Sequence, residues 1–440
     1  MFKTLWSAIK TADIRKKLLY VLILIVVFRL GCFITVPAVD TIELNEQMSS
    51  QANGVTGVID ILSGGAFSRF SIFAMSIGPY ITASIVIQLL GFIIPSLEKM
   101  MKEGGEDGKA KVNKYTKLLS IALSLVEGIG IYAAYQHSGI FINPGFFTGL
   151  LVVMSFVAGT AFLMWLGEQI TRQGLGNGIS MLIFIGILSG LPGFISTAYG
   201  LVLDNGFSAT GLITVIALII GAIILIAAVI FVTQSERRIP VQYSKKVVGR
   251  KMYGGQSTHI PLKLAMAGVM PIIFASAFMT FPAMFIQIFN PHIAEQTGFW
   301  AGVYKFSMAT STSQGVPLSY TLINALVYLL LIVGFTFFYT FATFNPAEVS
   351  SNIKKNGGFI PGIRAGKPTT DYLSSIMKKL TAFGSVFLAL IAILPMLLRF
   401  TDFNITFGGT TILIVVGVAM EMILQLESQL VMRHYKGFLD

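Results

Sequence analysis

Residues 57–90 read GVIDILSGGAFSRFSIFAMSIGPYITASIVIQLL, a short apolar piece set directly before a longer one. A spanning helix needs about 20 apolar residues, rising ~1.5 Å each, to cross roughly 30 Å of hydrocarbon. Val58 to Phe67 falls short of this, being broken by Gly64 and Gly65 and edged by Asp60 and Arg69, whereas Ser71 to Ile94 is long enough. Half-length backbone at membrane depth is tolerated only where protein or a watery cavity surrounds it. Residues 58–67 are therefore either the stopper of a channel or an amphipathic turn on the outer surface.

The 440 residues are 54% hydrophobic and 12% charged, with a mean hydropathy of +0.78. That balance excludes a soluble globular protein and indicates a polytopic membrane protein. A single cysteine, Cys32, inside an apolar span leaves no internal disulfide and no cysteine metal cluster. The Lys16-Lys17 start mimics a signal peptide, but its apolar run lasts to Val39, contains Arg29 and lacks a small-residue cleavage site. It is expected to stay attached as the first span.

Apolar runs of spanning length predict ten helices, roughly at 18–38, 71–94, 118–136, 147–167, 179–200, 210–233, 262–285, 318–341, 374–398 and 409–431. Cytoplasmic connections are enriched in Lys and Arg. Of the 31 such residues, 27 lie in the two termini and the 2/3, 4/5, 6/7 and 8/9 connections, leaving only Arg29, Arg69, Lys305 and Arg399 elsewhere. Both termini are predicted cytoplasmic, with 58–67 on the outer side, and the net charge of +11 is topological asymmetry rather than a nucleic-acid footprint. The 6/7 and 8/9 connections, QSERRIPVQYSKKVVGRKMYGGQSTHIPLK (234–263) and NPAEVSSNIKKNGGFIPGIRAGKPTTDY (345–372), are longer and more basic than topology requires. Long loops in compact proteins are usually functional, and basic ones suit an acidic or phosphate-rich cytosolic partner.

Splitting the spans five and five aligns the second with the seventh: Ser76-Ile77-Gly78-Pro79-Tyr80-Ile81 resembles Gly268-Val269-Met270-Pro271-Ile272-Ile273. Five is odd, so the halves run in opposite directions, and both prolines are expected to bend their helices near the bilayer centre. Pro-interrupted spans at matching places of inverted halves point to a central pathway.

Catalytic chemistry is missing. Ionisable residues at depth reduce to Arg29, Glu127, and Glu421 and Glu427 near the cytosolic end of the tenth span, each read as a packed or interfacial group. His137, His259, His292 and His434 fall in loops or at ends, and neither Gly108-Lys109 nor Gly366-Lys367 has the glycine five residues earlier that a phosphate loop needs. What the centre offers is aliphatic. Ile77 and Ile81 lie four apart, as do Ile179 and Ile183, and with Ile273 and Ile414 they either form a dewetting constriction or face core and lipid.

Five stretches resemble the SecY family, the channel subunits of the bacterial Sec protein translocase, which are related to the eukaryotic and archaeal translocons. They are SGGAFSRFSIFAMSIGPYITASIVIQLL (63–90), GEQITRQGLGNGISMLIFIGI (167–187), GGQSTHIPLKLAMAGVMPIIFASAF (254–278), FNPAEVSSNIKKNGGFIPGIRAGKPT (344–369) and FGGTTILIVVGVAMEMILQLESQLV (407–431). The resemblance implies an all-α polytopic membrane protein: ten transmembrane helices in two inverted five-helix halves, 1–200 and 201–440, around a central pore with a short re-entrant plug helix. It places the pore ring at Ile77, Ile81, Ile179, Ile183, Ile273 and Ile414. It places the plug at Val58, Ile59, Asp60, Ile61, Leu62, Ser63, Gly64, Gly65, Ala66 and Phe67. A lateral gate between helices 2 and 3 and helices 7 and 8 would include Thr82, Gln88, Glu127 and Asn324, with a hinge near the 5/6 connection. Arg250, Lys251, Lys354, Lys355 and Arg364 match the basic surface that receives the SecA ATPase or a ribosome. SecE and SecG are the implied companion subunits, and signal sequences with their attached chains the passengers. No cofactor is implied, and the bacterial cytoplasmic membrane is the implied location. Two departures stand out: Glu127 occupies a place where a neutral residue such as Gln is expected, and Met270 replaces an isoleucine beside the ring.

The physics agrees with such a role. A polypeptide in transit exposes backbone that lipid cannot solvate, so it needs a watery path with a waist that offers no hydrogen bonds. Two rivals of other classes remain at this stage. A secondary transporter would take up a solute saturably and carry an ion-coupling residue at depth, and a membrane enzyme would show a catalytic constellation.

Overall fold

The computed structural model describes residues 10–44, 60, 63–102, 104–173, 176–193, 209–243, 246–248, 251–253, 257–290, 298–308, 318–398 and 409–436, with 195, 199, 202 and 293 singly. Its helices are α1 (Ala12–Gly31), α2 (Gly78–Ile93), α3 (Pro95–Lys102), α4 (Gly105–Tyr135), α5 (Phe146–Arg172), α6 (Gly178–Leu188), α7 (Ala209–Gln234), α8 (Met270–Phe289), α9 (Phe299–Met308), α10 (Leu318–Thr343), α11 (Pro346–Lys355), α12 (Lys367–Leu398) and α13 (Gly409–Lys436). Ten of them (α1, α2, α4–α8, α10, α12 and α13) stand where the ten spans were expected. Among the described residues, six stretches are long and apolar enough to cross a membrane, and α2 with α3 makes a seventh only as a pair bent by 110°. The most apolar, Gly211–Gln234, has a mean hydropathy of 3.4 and only 11% of its window buried, the signature of a helix facing lipid.

The chain divides into two compact units. The first comprises Met1–Val215, Ser276–Asn324 and Val418–Asp440. Its core gathers Phe67, Phe70, Tyr135, Phe141 and Phe156 around the root of the re-entrant segment. Phe70, fully buried, meets Tyr135 and Phe141 edge-on at 5.5 and 5.9 Å and Phe156 at 5.7 Å. Edge-to-face pairs of this kind add about 0.5–1.5 kcal/mol each beyond burial.

The second unit comprises Ile216–Ala275 and Ala325–Gly417. It contains strands not expected from the sequence: β1 (Glu236–Tyr243), β2 (Lys246–Val248), β3 (Lys251–Tyr253), β4 (Ser257–Lys263) and β5 (Gly358–Phe359). β1 pairs antiparallel with β4, Ile239 opposite Ile260, and on its other edge with β5, giving the order β4-β1-β5. The 6/7 and 8/9 connections are thus stapled through one sheet. Under it, Ile239, Val241, Leu262, Ile353, Ile360 and Leu373 form a core of soluble-protein type. The seventh span accordingly begins at Met270 rather than 262, because 257–263 is committed to the sheet.

α11 shows how the 8/9 connection is made rigid. Asn345 caps it by accepting from the amides of Ala347 (3.1 Å) and Glu348 (3.5 Å). Pro346 needs no amide partner at the first turn. Lys354 and Lys355 complement the carbonyl end. Asn345→Ala is expected to cost about 1 kcal/mol, seen as about fivefold faster hydrogen exchange at Ala347 and Glu348 if local opening governs it.

Both repeat prolines differ from expectation. Pro79 and Pro271 do not bend the interiors of spans; each sits in the first turn of its helix, and the second span starts at Gly78 rather than 71. Proline has no amide to donate and its φ is preset for a helix start. The likeness extends to the backbone, since Ser76 (φ 51) and Gly268 (φ 59), each three residues before the proline, adopt the left-handed conformation. Ile77 O then accepts from Tyr80 and Ile81 N at 3.0 Å. Val269 O accepts likewise from Ile272 and Ile273 N at 3.1 and 3.3 Å. A left-handed turn costs a non-glycine residue about 1–2 kcal/mol, so its presence at Ser76 reflects an imposed geometry.

Candidate functional site

Three helices begin at the aliphatic residues. Ile77 is the cap of α2 and Ile81 lies in its first turn; Ile179 lies in the first turn of α6, and Ile273 in that of α8. A helix start leaves amides without partners, a severe cost away from water. Pro79 and Pro271 remove one donor each, and Asn177 accepts from Ile179 N at 3.0 Å and Ser180 N at 3.5 Å. The polar cost of starting a helix there is offset locally, leaving saturated hydrocarbon side chains. Ile77, Ile183, Ile273 and Ile414 are buried, and Ile81 and Ile179 half-buried.

The re-entrant segment meets α6. Gly64 is left-handed (φ 71), and a methyl group there would lie 3.0 Å from Gly186 Cα and 2.6 Å from Ser189 Oγ. Ile179, Ile183 and Gly186 follow one another at helical spacing on α6, so Gly64 touches that face about 4.5 Å along the axis from Ile183. Asp60 O accepts from Gly65 N at 2.8 Å across the left-handed Gly64, the bond with which many helices stop. Asp60 also accepts from Ser68 N at 2.7 Å, and Ser63 Oγ from Phe67 N at 3.1 Å. Of the expected plug residues, Val58, Ile59, Ile61 and Leu62 lie outside the described residues.

Beyond Phe67 the chain is rooted. Ser71 N donates to Ala66 O, Val36 N to Phe70 O and Ile72 N to Ile34 O, and Thr35 pairs antiparallel with Ser71. These bonds explain why α1 ends at Gly31 rather than near 38: residues 34–36 serve as an extended partner for 70–72.

The expected gate residues are satisfied individually. Thr82 Oγ1 donates to Gly78 O (3.2 Å), Gln88 Nε2 to Ser84 Oγ (3.0 Å) and the buried Asn324 Nδ2 to Phe306 O (2.5 Å). Glu127 is buried on α4 in line with Thr116, Ser120 and Ser124, a polar seam that sequence reading overlooked. Its signal was available, because small polar residues recur every three or four positions within an apolar run. Of the docking residues, Lys354, Lys355 and Arg364 are exposed, Lys251 lies in β3 and Arg250 is outside the described residues. The Arg364 loop is fixed by its backbone: Thr369 Oγ1 donates to Arg364 O and Ser350 Oγ to Gly366 O, both at 2.9 Å.

Ten helices with a repeated proline-led helix start and a re-entrant turn rooted at residues 66–71 define a polytopic membrane protein. Residues 71–423 match the SecY family model. The chain is 42% identical over 447 residues to the protein translocase subunit SecY of Streptomyces scabiei, covering 98% of each chain. Among solved structures it resembles a protein-conducting channel with a TM-score of 0.65 and 23% identity, covering 94% of this chain and 91% of that one. It also resembles a SecY protein whose plug domain stabilises the closed channel and maintains a membrane seal, with a TM-score of 0.64 and 23% identity over 92% and 90% of the two chains. The chain belongs to the SecY family.

Proposed function

We propose that this chain is the protein-conducting channel of a bacterial Sec translocase, moving unfolded secretory polypeptides across the cytoplasmic membrane and releasing apolar segments sideways into lipid. The observation that carries the reading is the seating of Gly64 on the α6 face that bears Ile179 and Ile183. A re-entrant segment that ends against an aliphatic row has the placement a plug needs. The six isoleucines form the waist, and residues 58–67 the plug that closes it. Aliphatic side chains seal by excluding water and do not trap a passenger's amides.

The halves 1–200 and 201–440 are the bodies that part, with Thr82, Gln88, Glu127 and Asn324 along the lateral opening. A passenger segment then partitions by composition, with Leu, Ile, Phe and Val each favouring lipid by about 0.3–0.6 kcal/mol. The chain supplies no chemistry of its own, and work comes from partners on the cytosolic side. Arg250, Lys251, Lys354, Lys355 and Arg364 receive SecA or a ribosome there, and SecE and SecG complete the channel. Both termini are cytosolic in this reading, which the Lys and Arg distribution supports.

The test is reconstitution of the channel complex in vesicles with a secretory precursor and SecA. Protease-protected precursor that depends on ATP supports the reading; saturable uptake of a small solute by the chain alone, with no protection of precursor, would replace it with a transporter. Deleting 58–67 is expected to raise the idle channel's ion conductance while leaving precursor transport measurable, because the isoleucines remain.

A further inference from the structure

Arg29 lies half-buried in the last turn of an apolar helix, where a charge persists only with partners. Its Nη1 donates to Gly64 O at 2.7 Å, and its guanidinium rests 5.6 Å from the centre of the Phe33 ring. Arg69 lies over the same ring at 4.1 Å. Cys32 Sγ lies 3.8 Å from Ser63 O, the carbonyl next to it. A methyl group on Gly64 would lie 2.9 Å from Arg29 Nη1 as well as 2.6 Å from Ser189 Oγ. Gly64 is thus enclosed between a guanidinium on α1, Gly186 of α6 and Ser189, the cap that ends α6.

We propose that Arg29 is the latch of the plug, a positioning residue whose hydrogen bond to Gly64 O holds the carbonyl end of the plug against α6 and must break before the pore opens. This rests on the plug reading above. The geometry divides the segment into a fixed root and a releasable end. The root, Ala66–Ser71, is tied by backbone bonds and by the Phe70 cluster, whereas the end at Ser63–Gly64 is tied by side-chain contacts from Arg29 and Cys32. A charge-assisted bond to a neutral carbonyl is strong enough to keep the idle state closed and single enough to be broken in one step.

The experiment uses the full channel complex, with Cys32→Ser removing the native thiol and Ser63→Cys, at a buried position in the releasable end, reporting release. Arg29→Met is expected to speed labelling of the cysteine at 63 by a membrane-impermeant maleimide at least about tenfold. Arg29→Lys, which keeps a cationic donor, should stay near the parent rate. Labelling unchanged in Arg29→Met, or equally fast in Arg29→Lys, overturns the latch. Should Arg29→Met fail to accumulate in the membrane, Arg29→Gln, which removes the charge with less loss of polarity, tests the same bond: faster labelling supports the latch and unchanged labelling overturns it. The two readings fail differently. If deletion of 58–67 leaves conductance unchanged the plug itself is refuted, whereas a leaking deletion with an unresponsive Arg29→Met refutes the latch alone.

Discussion

Replacing Ile81, Ile179 and Ile273 together with glycine is expected to make the idle channel conduct ions. The three side chains stand in the first turns of α2, α6 and α8. Removing them takes away the hydrocarbon of the proposed waist and no group that caps the helix starts. Asn177 still caps α6, and Pro79 and Pro271 still begin α2 and α8. Glycine lowers helix stability by about 1 kcal/mol per site relative to alanine, and the lost packing of Ile273, which is buried, adds about 2–5 kcal/mol, so the amount of assembled complex is measured alongside. The matching Ile→Leu triple, which conserves hydrocarbon volume, should stay sealed. The check is single-channel or vesicle conductance of the purified complex without partners. Equal tightness of the glycine and leucine triples would count against a gasket at these positions.

Arg364→Glu is expected to abolish SecA-driven transport while leaving the protein folded and assembled. The loop that carries Arg364 is held by backbone acceptors, Arg364 O and Gly366 O, which a change of side chain leaves intact. Because Arg364 is exposed, the substitution should change stability by no more than about 0.5 kcal/mol. Reversing this charge on the proposed docking surface should weaken the motor's binding by at least about 2 kcal/mol, roughly thirtyfold. Motor affinity for vesicles and ATP-dependent precursor protection should fall together, with the amount of mature complex unchanged. Normal transport by the variant would remove Arg364 from the docking surface.

The ten helices were legible because each is an apolar run of the length that hydrocarbon demands, and that constraint is nearly free of tertiary context. Helix starts were less legible. Pro79 and Pro271 read as interior kinks because the residues before them, 71–77 and 264–269, are as apolar as the helices that follow. Only the left-handed turns at Ser76 and Gly268 separate the two. The sheet was missed for a different reason. Charge and glycine dominated the reading of 234–263, hiding the alternation in ERRIPVQY that buries Ile239 and Val241 on one face. The partner of Arg29 was beyond sequence reading altogether, since Gly64 contributes a backbone carbonyl, which leaves no trace in residue type.

Site-specific photocrosslinking of a stalled secretory precursor to positions 81, 183 and 273 tests the central claim most directly, with position 223 on the lipid-facing α7 as control; Ile223 is 60% exposed. Adducts to the translocating segment at all three isoleucine positions, and none at 223, are the predicted result. A precursor that reaches the far side of the membrane without touching 81, 183 or 273 would contradict passage through this waist.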